Sequence, residues 1–443
     1  MKFTLNEIEN AINILIADKI EGSFEISTDT RTIKKGDLYL PLKGENFDGE
    51  NFCQKAIEIG AVGCFYTKEK PKCKIGIKVN NTLETYLKIA NYARRKINPI
   101  VIGVTGSSGK TTTKEIIYAV VSEKFKAQKT FSNHNNEIGF CQTVLNMNTD
   151  CQVLIVEMGM RGFGEIELID KYAEPDYAVI TNAGSAHIGR LGSLDNIAKA
   201  KCEITKYLNK ALIAHNNERI KKFADFDGEK VFYSINDVKI LEKCPGYSKF
   251  SYKDNVYEIN IEGDFNIENS IPAIELGYRL GMNYEEIKSG LSKYKPIEKR
   301  WEIENIHGYN IINDSYNANP ESMKASVSTF MELYNNSVII LGNMGELGEK
   351  EIDFHRQTGM SIGEKYNSLK NKEKVLFITV GNLAYYIGVE LKKAGLDVKH
   401  FDNNIATSRY ILDNIDIGTT IFLKASRAMK FEEIIETLKG DKI

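Results

Sequence analysis

The stretch Ile100 to Thr113, I-V-I-G-V-T-G-S-S-G-K-T-T-T, constrains this chain more than any other. Ile100 to Val104 is continuously apolar, as a strand buried on both faces would be. A glycine-rich turn follows, then Lys110, three threonines, and a helical pattern with Ile116, Ile117, Val120 and Val121 on one side. Strand, glycine-rich loop, lysine, threonine and helix in that order is the layout of a phosphate-binding loop. Gly106 and Gly109 let backbone N–H groups close on phosphate oxygens, and the helix start adds the positive end of its dipole. Lys110 can reach terminal phosphates, and Thr111 can offer its hydroxyl to Mg²⁺. The general motif wants glycine five residues before Gly109, where Val104 stands, so the motif here is the shorter G-x-x-G-K-T from Gly106 to Thr111. An ordinary glycine turn before a helix would share the loop; the flanking strand and helix separate the two readings.

At 443 residues the chain is too long for one core, so two or three domains are expected. Lys and Arg number 58 against 60 Asp and Glu, and a net charge of −2 makes no electrostatic case for nucleic acid or a membrane surface. No apolar run approaches the ~20 residues of a membrane span. The opening residues Met1 to Glu7 do not read as a signal peptide. Seven scattered cysteines without a C-x-x-C fit reduced thiols in a cytoplasmic protein.

Residues 1–82 alternate short strand and helix patterns, with a strand expected over Leu38 to Leu42 between the turn signals Lys35-Gly36-Asp37 and Phe47-Asp48-Gly49. Arg31 and these glycine turns could hold an anionic ligand, although solvated loops beside a small sheet would read the same way. Leu83 to Lys96 reads as an amphipathic helix with Leu87, Ala90 and Ala93 on one face, which puts the first boundary near Thr82. Strands are expected at Val153 to Glu157, Tyr177 to Thr181, Ala211 to Ala214 and Tyr257 to Ile261, with helices between them and a mainly parallel sheet over residues 83–298. Ligands of such sheets gather at the C-terminal strand ends. Glu157 closes one strand there, placed to hold Mg²⁺, and His187 follows another.

In the helix from about Ser193, Ile197, Ala200, Ile204 and Leu208 share a face at ~100° per residue. Lys201 falls within that face and Lys199 points away. A lysine facing a core needs a partner or a modification, unless it snorkels to solvent. Asn266 and Asn269 lie at the start of a helix reaching Gly281; they can present amides to a purine edge, or Asn266 can cap. Pro272 leaves a kink or a later helix start open. From about Lys299 to residue 443 a second α/β series begins, with strands at Asn310 to Asn313, Val338 to Leu341, Val375 to Val380, Val398 to Phe401 and Thr420 to Leu423. Its strand ends carry Asp314, Asn343 with Glu346, and Lys424 with Ser426 and Arg427.

Taken together these motifs resemble the Mur ligase family. The strongest stretches are T-G-S-S-G-K-T-T-T-K-E, N-H-N-N-E-I-G-F from Asn133, V-E-M-G-M-R-G-F-G-E-I from Val156, and T-N-A-G-S-A-H-I-G-R-L-G-S from Thr181. K-A-K-C-E-I from Lys199, D-S-Y-N-A-N-P-E-S-M from Asp314, L-G-N-M-G-E-L-G-E from Leu341 and K-A-S-R-A-M-K-F-E from Lys424 complete the set. The resemblance implies three α/β domains: a UDP-sugar domain (1–82), a central phosphate-loop ATPase-like parallel-sheet domain (83–298) and a C-terminal Rossmann-like ligase domain (299–443). It implies ATP-dependent ligation of D-alanyl-D-alanine to UDP-N-acetylmuramoyl-tripeptide in peptidoglycan precursor synthesis, by a cytoplasmic monomer. By the same resemblance Gly106, Ser107, Ser108, Gly109, Lys110 and Thr112 would hold ATP phosphates. Thr111 and Glu157 would hold one Mg²⁺, His187 and a carbamylated Lys201 a second. Asn266 and Asn269 would face adenine, Arg300 and Asp314 the rest of the nucleotide. Asp29, Thr30, Arg31, Gly44, Asp48 and Gly49 would line the UDP-sugar site. Lys424 or Arg427 is a candidate for the dipeptide carboxylate, unless both are ordinary strand-end charges.

The chain departs from the family pattern at Phe265 (usually His), Asn343 (usually Asp), Ala425 and Ala428 (usually Gly) and Glu50 (usually His). Two rivals stand beside this reading. One is a sister ligase that adds a single amino acid; the other is a nucleotide-binding scaffold without catalysis.

Overall fold

Apolar runs bounded by turn residues form three main sheets with helices on their faces, together with a smaller antiparallel sheet and a two-stranded hairpin, in a computed structural model, which describes residues 1–440 other than 19, 45 and 371–374. In the first unit Ile26–Ser27, Leu38–Tyr39, Gly63–Tyr66 and Ile75–Lys78 pair in that order, all parallel. The strand expected over Leu38 to Leu42 pairs only over its first two residues. Pro41 has no N–H to give a ladder, and the chain turns into a short hairpin of Lys43–Gly44 and Phe47–Asp48. The turn signal at Phe47-Asp48-Gly49 is therefore half strand. Gly49 is required there, because a Cβ would lie 2.5 Å from the Leu42 carbonyl oxygen.

The Thr82–Ile97 helix follows, capped by Asn81 on the Glu84 N–H. Leu87, Ala90 and Ala93 are buried on it as their spacing requires. It packs on the Leu5–Ile12 helix and also on the Glu137–Leu145 and Glu165–Ala173 helices, most extensively on Glu137–Leu145. One hydrophobic core thus runs from Phe3 and Ile8 through this helix to Leu154 and Val156.

The central sheet has six parallel strands in the order Glu229–Tyr233, Ala211–His215, Tyr177–Ile180, Ile100–Thr105, Val153–Glu157, Ala127–Lys129. The segment Tyr257 to Ile261 does not join it. Residues Asn255–Ile259 instead form the last strand of a separate antiparallel sheet with Lys239–Cys244 and Tyr247–Tyr252. Two-residue turns at Pro245-Gly246 and Lys253-Asp254 make hairpins, and hairpins are antiparallel. The phosphate-loop helix, Lys110–Val121, buries Ile116, Ile117, Val120 and Val121 completely against the Asp264–Arg279 and Tyr284–Lys293 helices. The Asp264–Arg279 helix passes through Pro272 and starts behind Gly263, whose φ of +103° favours glycine, so Asn266 is not its cap.

The third sheet runs Glu302–Ile306, Tyr309–Asn313, Thr420–Lys424, Ser337–Gly342, Val375–Val380, Asp397–Phe401; its first pair is antiparallel and the rest parallel. The five expected strands are all present, and Glu302–Ile306 is an added edge. Arg300 at the join lies between two non-glycine residues with positive φ, Lys299 (+58°) and Trp301 (+59°). Trp301 is buried between Phe265 of the central domain and Phe422 of the C-terminal one, with ring centroids 5.6 and 5.4 Å away.

Candidate active site

In the central sheet the chain leaves Ile100–Thr105 toward one edge and Tyr177–Ile180 toward the other. These strands are neighbours, so their following loops diverge and leave a crevice at the C-terminal strand ends. The crevice opens into a cavity of about 910 Å³. Ser107, Ser108, Gly109, Lys110, Thr111, Thr112, Glu157 and His187 line it from the central domain. Asn266, Asn269 and Phe265 line another part, and Arg300, Asp314, Tyr316 and Lys424 line it from the join and the C-terminal domain. Thirteen residues picked out in the sequence thus meet in one space.

Loop geometry follows from two glycines. Gly106 has φ +152°, and a Cβ there would overlap the Thr181 hydroxyl at 1.8 Å. Gly109, with φ +77°, starts the helix, and a Cβ on it would meet Asn269 Oδ1 at 2.4 Å. The loop is held from outside by Asn182. Its Oδ1 accepts from the Ser107 and Ser108 N–H groups at 3.1 and 3.0 Å, and its Nδ2 donates to Ser108 O at 3.1 Å. Lys110 Nζ donates to Gly106 O at 2.8 Å. Confinement, opposed by Glu157 and reinforced by Arg300, holds this ammonium below the ordinary lysine range.

Glu157 is buried at the end of its strand. Its Oε1 accepts from Thr111 Oγ1 and Asn135 Nδ2, each at 3.1 Å. Its Oε2 makes no hydrogen bond, and the fully buried Lys114 ammonium stands 3.4 Å away. Burial would raise the Glu157 carboxyl, but Lys114 and Lys110 outweigh it and hold the group below the ordinary glutamate range. Lys114 also donates to Thr130 O at 2.9 Å. Sequence reasoning passed over Lys114, Asn135 and Asn182. Lys114 carried a readable signal, since it lies one helical turn beyond Lys110.

Lys201 is 1% exposed and, among the described residues, makes neither a hydrogen bond nor an ion pair. Burial and the nearby Lys110 push its amine well below the ordinary lysine range. Lys199 is exposed, its ammonium 5.1 Å from the Phe223 ring centroid. The two lysines face as their spacing predicts, but the helix ends at Cys202, so Ile204 reaches the same core from a following 3-10 turn and Leu208 from beyond it. His187, itself at φ +65°, presents Nδ1 2.6 Å from Glu346 Oε2 of the C-terminal domain. That ring holds the Glu346 carboxyl below the ordinary glutamate range.

Asn269 Oδ1 accepts from Thr113 Oγ1 at 3.3 Å, and Asn266 Nδ2 donates to Glu262 O at 2.7 Å. Phe265 packs its ring edge-on to Trp301, an apolar contact that histidine would make less well. Asn343 accepts the Leu383 and Ala384 N–H groups at 3.1 and 2.8 Å, a capping role in which an amide oxygen serves as well as a carboxylate. Lys424 is buried, and its three donors go to Asp314 Oδ2 (2.6 Å), Asn317 O (3.1 Å) and Asp314 O (3.3 Å).

Among the described residues, none of Asp29, Thr30, Arg31, Gly44, Asp48, Gly49 or Arg427 lines the cavity. Arg31 pairs with Asp29 at 2.6 Å and Asp48 with Lys68 at 3.0 Å on the first unit's surface. Arg427 is exposed, its guanidinium carbon 5.4 Å from the Tyr316 ring centroid. No three His, Cys, Asp or Glu side chains cluster as a metal centre among the described residues.

Residues 104–277 match the Mur ligase middle domain, and residues 299–427 match the Mur ligase glutamate ligase domain. UDP-N-acetylmuramoyl-tripeptide–D-alanyl-D-alanine ligase of Bacillus subtilis (strain 168) is 36% identical over 432 residues, covering 93% of this chain and 92% of that protein. A crystal structure of MurF from Acinetobacter baumannii superposes with a TM-score of 0.90 at 25% identity, covering 99% of both chains. MurF ligase from Thermotoga maritima in complex with ADP has the same fold, with a TM-score of 0.82 at 24% identity over 94% of this chain and 97% of that one.

Proposed function

The chain belongs to the Mur ligase family, and from that premise we infer that it joins D-alanyl-D-alanine to UDP-N-acetylmuramoyl-tripeptide, using ATP and forming ADP, for peptidoglycan synthesis. The observation that carries this reading is the single cavity shared by a phosphate loop and by the C-terminal domain's Asp314, Tyr316 and Lys424. A ligase needs that arrangement. The tripeptide carboxylate attacks the γ-phosphorus, ADP leaves, and an acyl phosphate remains. The dipeptide amine then attacks the acyl carbon, phosphate leaves, and the amine gives up a proton.

Bringing a carboxylate to a polyphosphate requires concentrated positive charge. Lys110 supplies it from the helix start, together with the amides of the Gly106–Thr112 loop. Arg300, its guanidinium carbon 4.0 Å from the Tyr316 ring centroid, adds a cation from the join. The C-terminal wall excludes water that would otherwise hydrolyse the acyl phosphate.

The buried Glu157 Oε2 without a hydrogen bond, beside the Thr111 hydroxyl, fits Mg²⁺, which prefers oxygen donors. His187 with Lys201 would hold a second Mg²⁺ once Lys201 is anionic. Its depressed basicity favours the uncharged amine, the form that adds to CO₂ and loses a proton to give a carbamate. The metal ions, when bound, neutralise phosphate charge. Asn266 and Asn269 would face the base, and Asp29, Thr30, Arg31, Gly44, Asp48 and Gly49 of the first unit the UDP-sugar. No helix among the described residues is long and apolar enough to cross a membrane; we place the enzyme in the cytoplasm as a monomer.

The test is ADP release with UDP-MurNAc-tripeptide, with and without D-Ala-D-Ala. Release requiring both acceptor and dipeptide is expected. Nucleotide binding without ADP release would make the protein a scaffold.

A further inference from the structure

Two carboxylates of the C-terminal domain grip the loop that carries His187. Glu321 Oε2 accepts from Ser185 Oγ at 2.7 Å, and Glu346 Oε2 stands 2.6 Å from His187 Nδ1. The backbones meet as well: the Gly189 N–H donates to Glu346 O at 3.1 Å. Gly189 and Gly348 approach so closely that a Cβ on Gly189 would lie 2.6 Å from Gly348 N.

Glu346 is held in place before it makes this contact. It sits at φ +62°, a conformation few non-glycine residues adopt, in the loop after the Ser337–Gly342 strand. The loop is pinned at two residues. The Met344 N–H donates to Nε2 of the fully buried His355, whose Nδ1 lies 2.6 Å from Glu351 O. Asn343 O accepts from the Ser426 N–H at 3.0 Å while its side chain caps the helix from Ala384. A fixed carboxylate is thus set 2.6 Å from a buried His187 Nδ1 that makes no hydrogen bond as the domains stand, so Glu346 is the acceptor within reach of that nitrogen.

We propose that Glu346 is a positioning residue for His187, delivered across the domain interface, so that the His187 metal position is complete only when the C-terminal domain is docked. The inference rests on the ligase reading above. A carboxylate on the far nitrogen of a metal-binding histidine fixes its tautomer and ring orientation, and its loss costs roughly 10–100-fold in metal affinity. Because the carboxylate and the ring lie in different domains, metal binding and docking are linked, and each favours the other.

The test uses Mn²⁺ as the probe on the full chain, with a non-hydrolysable ATP analogue and bicarbonate present. Free Mn²⁺ is followed by electron paramagnetic resonance, and docking by small-angle scattering. Two classes of Mn²⁺ are expected in the unmodified protein. Glu346→Gln should weaken one class by about 10-fold or more and leave the other unchanged, which also reports an intact fold. Gly189→Ala touches neither acid nor imidazole, yet its methyl group blocks docking; it should weaken the same class and expand the particle. The inference is overturned if either variant keeps both classes at full affinity, if both classes weaken in parallel, or if the unmodified protein holds one class while releasing ADP with both substrates. Absence of ADP release from the unmodified protein is the separate failure of the ligase reading.

Discussion

Lys110 and Lys201 are two confined lysines, the first depressing the basicity of the second, and each has a different resolution. Lys110 keeps a carbonyl partner at Gly106 and the Glu157 charge nearby. Lys201 has neither, so it is the one suited to modification. Lys110→Ala should abolish ADP release while the circular dichroism spectrum is unchanged; near-normal release would remove Lys110 from the phosphate site. Lys201→Ala should lose most activity and regain part of it with added short-chain carboxylates, whereas Lys199→Ala should be close to normal. The reverse pattern would break the helical-face argument. A third residue ties stability to pH. Burial raises the Asp170 carboxyl from 3.8 to about 8; Oδ2 accepts from the Tyr207 N–H at 2.8 Å and Oδ1 has no partner. An acid whose folded pKa is raised binds its proton more tightly in the folded state. Its penalty is absent below pH ~4 and grows as pH rises toward about 8, to a ceiling on the order of 5 kcal/mol at ~1.4 kcal/mol per unit. Asp170→Asn should therefore raise the urea midpoint at pH 8 far more than at pH 5. Equal shifts at both pH values would mean that Asp170 does not titrate in this range.

At the scale of elements, the phosphate loop was legible because everything it needs is local: a strand, two glycines, a lysine and the start of a helix within fourteen residues. What holds that loop from outside was not. Asn182 is 74 residues from Ser108, and an asparagine after a strand has no local mark that it will cap a distant loop. Lys114 was marked only by its place one turn beyond Lys110, since its partner Glu157 lies on a strand distant in sequence. The same limit explains the misassigned Tyr257 to Ile261. Period and composition name a strand, but only its neighbours through hairpin turns decide which sheet it joins. Asn182→Ala removes the shared acceptor of two loop amides, worth about 0.5–1.5 kcal/mol per bond. It should raise the KM for ATP roughly tenfold with a smaller change in kcat, read from initial rates of ADP release. An unchanged KM would show that the loop holds its shape without Asn182. On the helix behind the loop, a Cβ at Gly290 would lie 2.4 Å from Val120 Cα. Gly290→Ala should therefore cost about 1–3 kcal/mol by overpacking, measured by urea unfolding.

Across the whole molecule, we assign specificity for the incoming amine to the ends of the C-terminal strands, where the structure separates two cations. Lys424 is buried with all three donors taken, and its partner Asp314 is mostly enclosed. Removing Lys424 would strand that carboxylate at about 3–5 kcal/mol, so Lys424→Ala should fail first in stability. Arg427 is exposed beside Tyr316 and, among the described residues, has no ion pair. It is the cation free to meet the carboxylate of a dipeptide whose amine points at the acyl phosphate. A charge-assisted hydrogen bond contributes about 1.5–3 kcal/mol, so Arg427→Ala should raise the KM for D-Ala-D-Ala roughly 10–100-fold. Its effect on single amino acids should be small, because they lack the second residue whose carboxylate the guanidinium would meet. The measurement is competition among D-Ala-D-Ala, D-Ala, L-Lys and meso-diaminopimelate, with UDP-MurNAc-tripeptide and UDP-MurNAc-dipeptide as acceptors, for the unmodified chain and Arg427→Ala. Preference for the dipeptide on the tripeptide acceptor, reduced by the substitution, is the expected pattern. Faster product from a single amino acid on the dipeptide acceptor would instead place the chain with the sister ligases, and an Arg427→Ala enzyme with unchanged KM would move the dipeptide carboxylate to another donor.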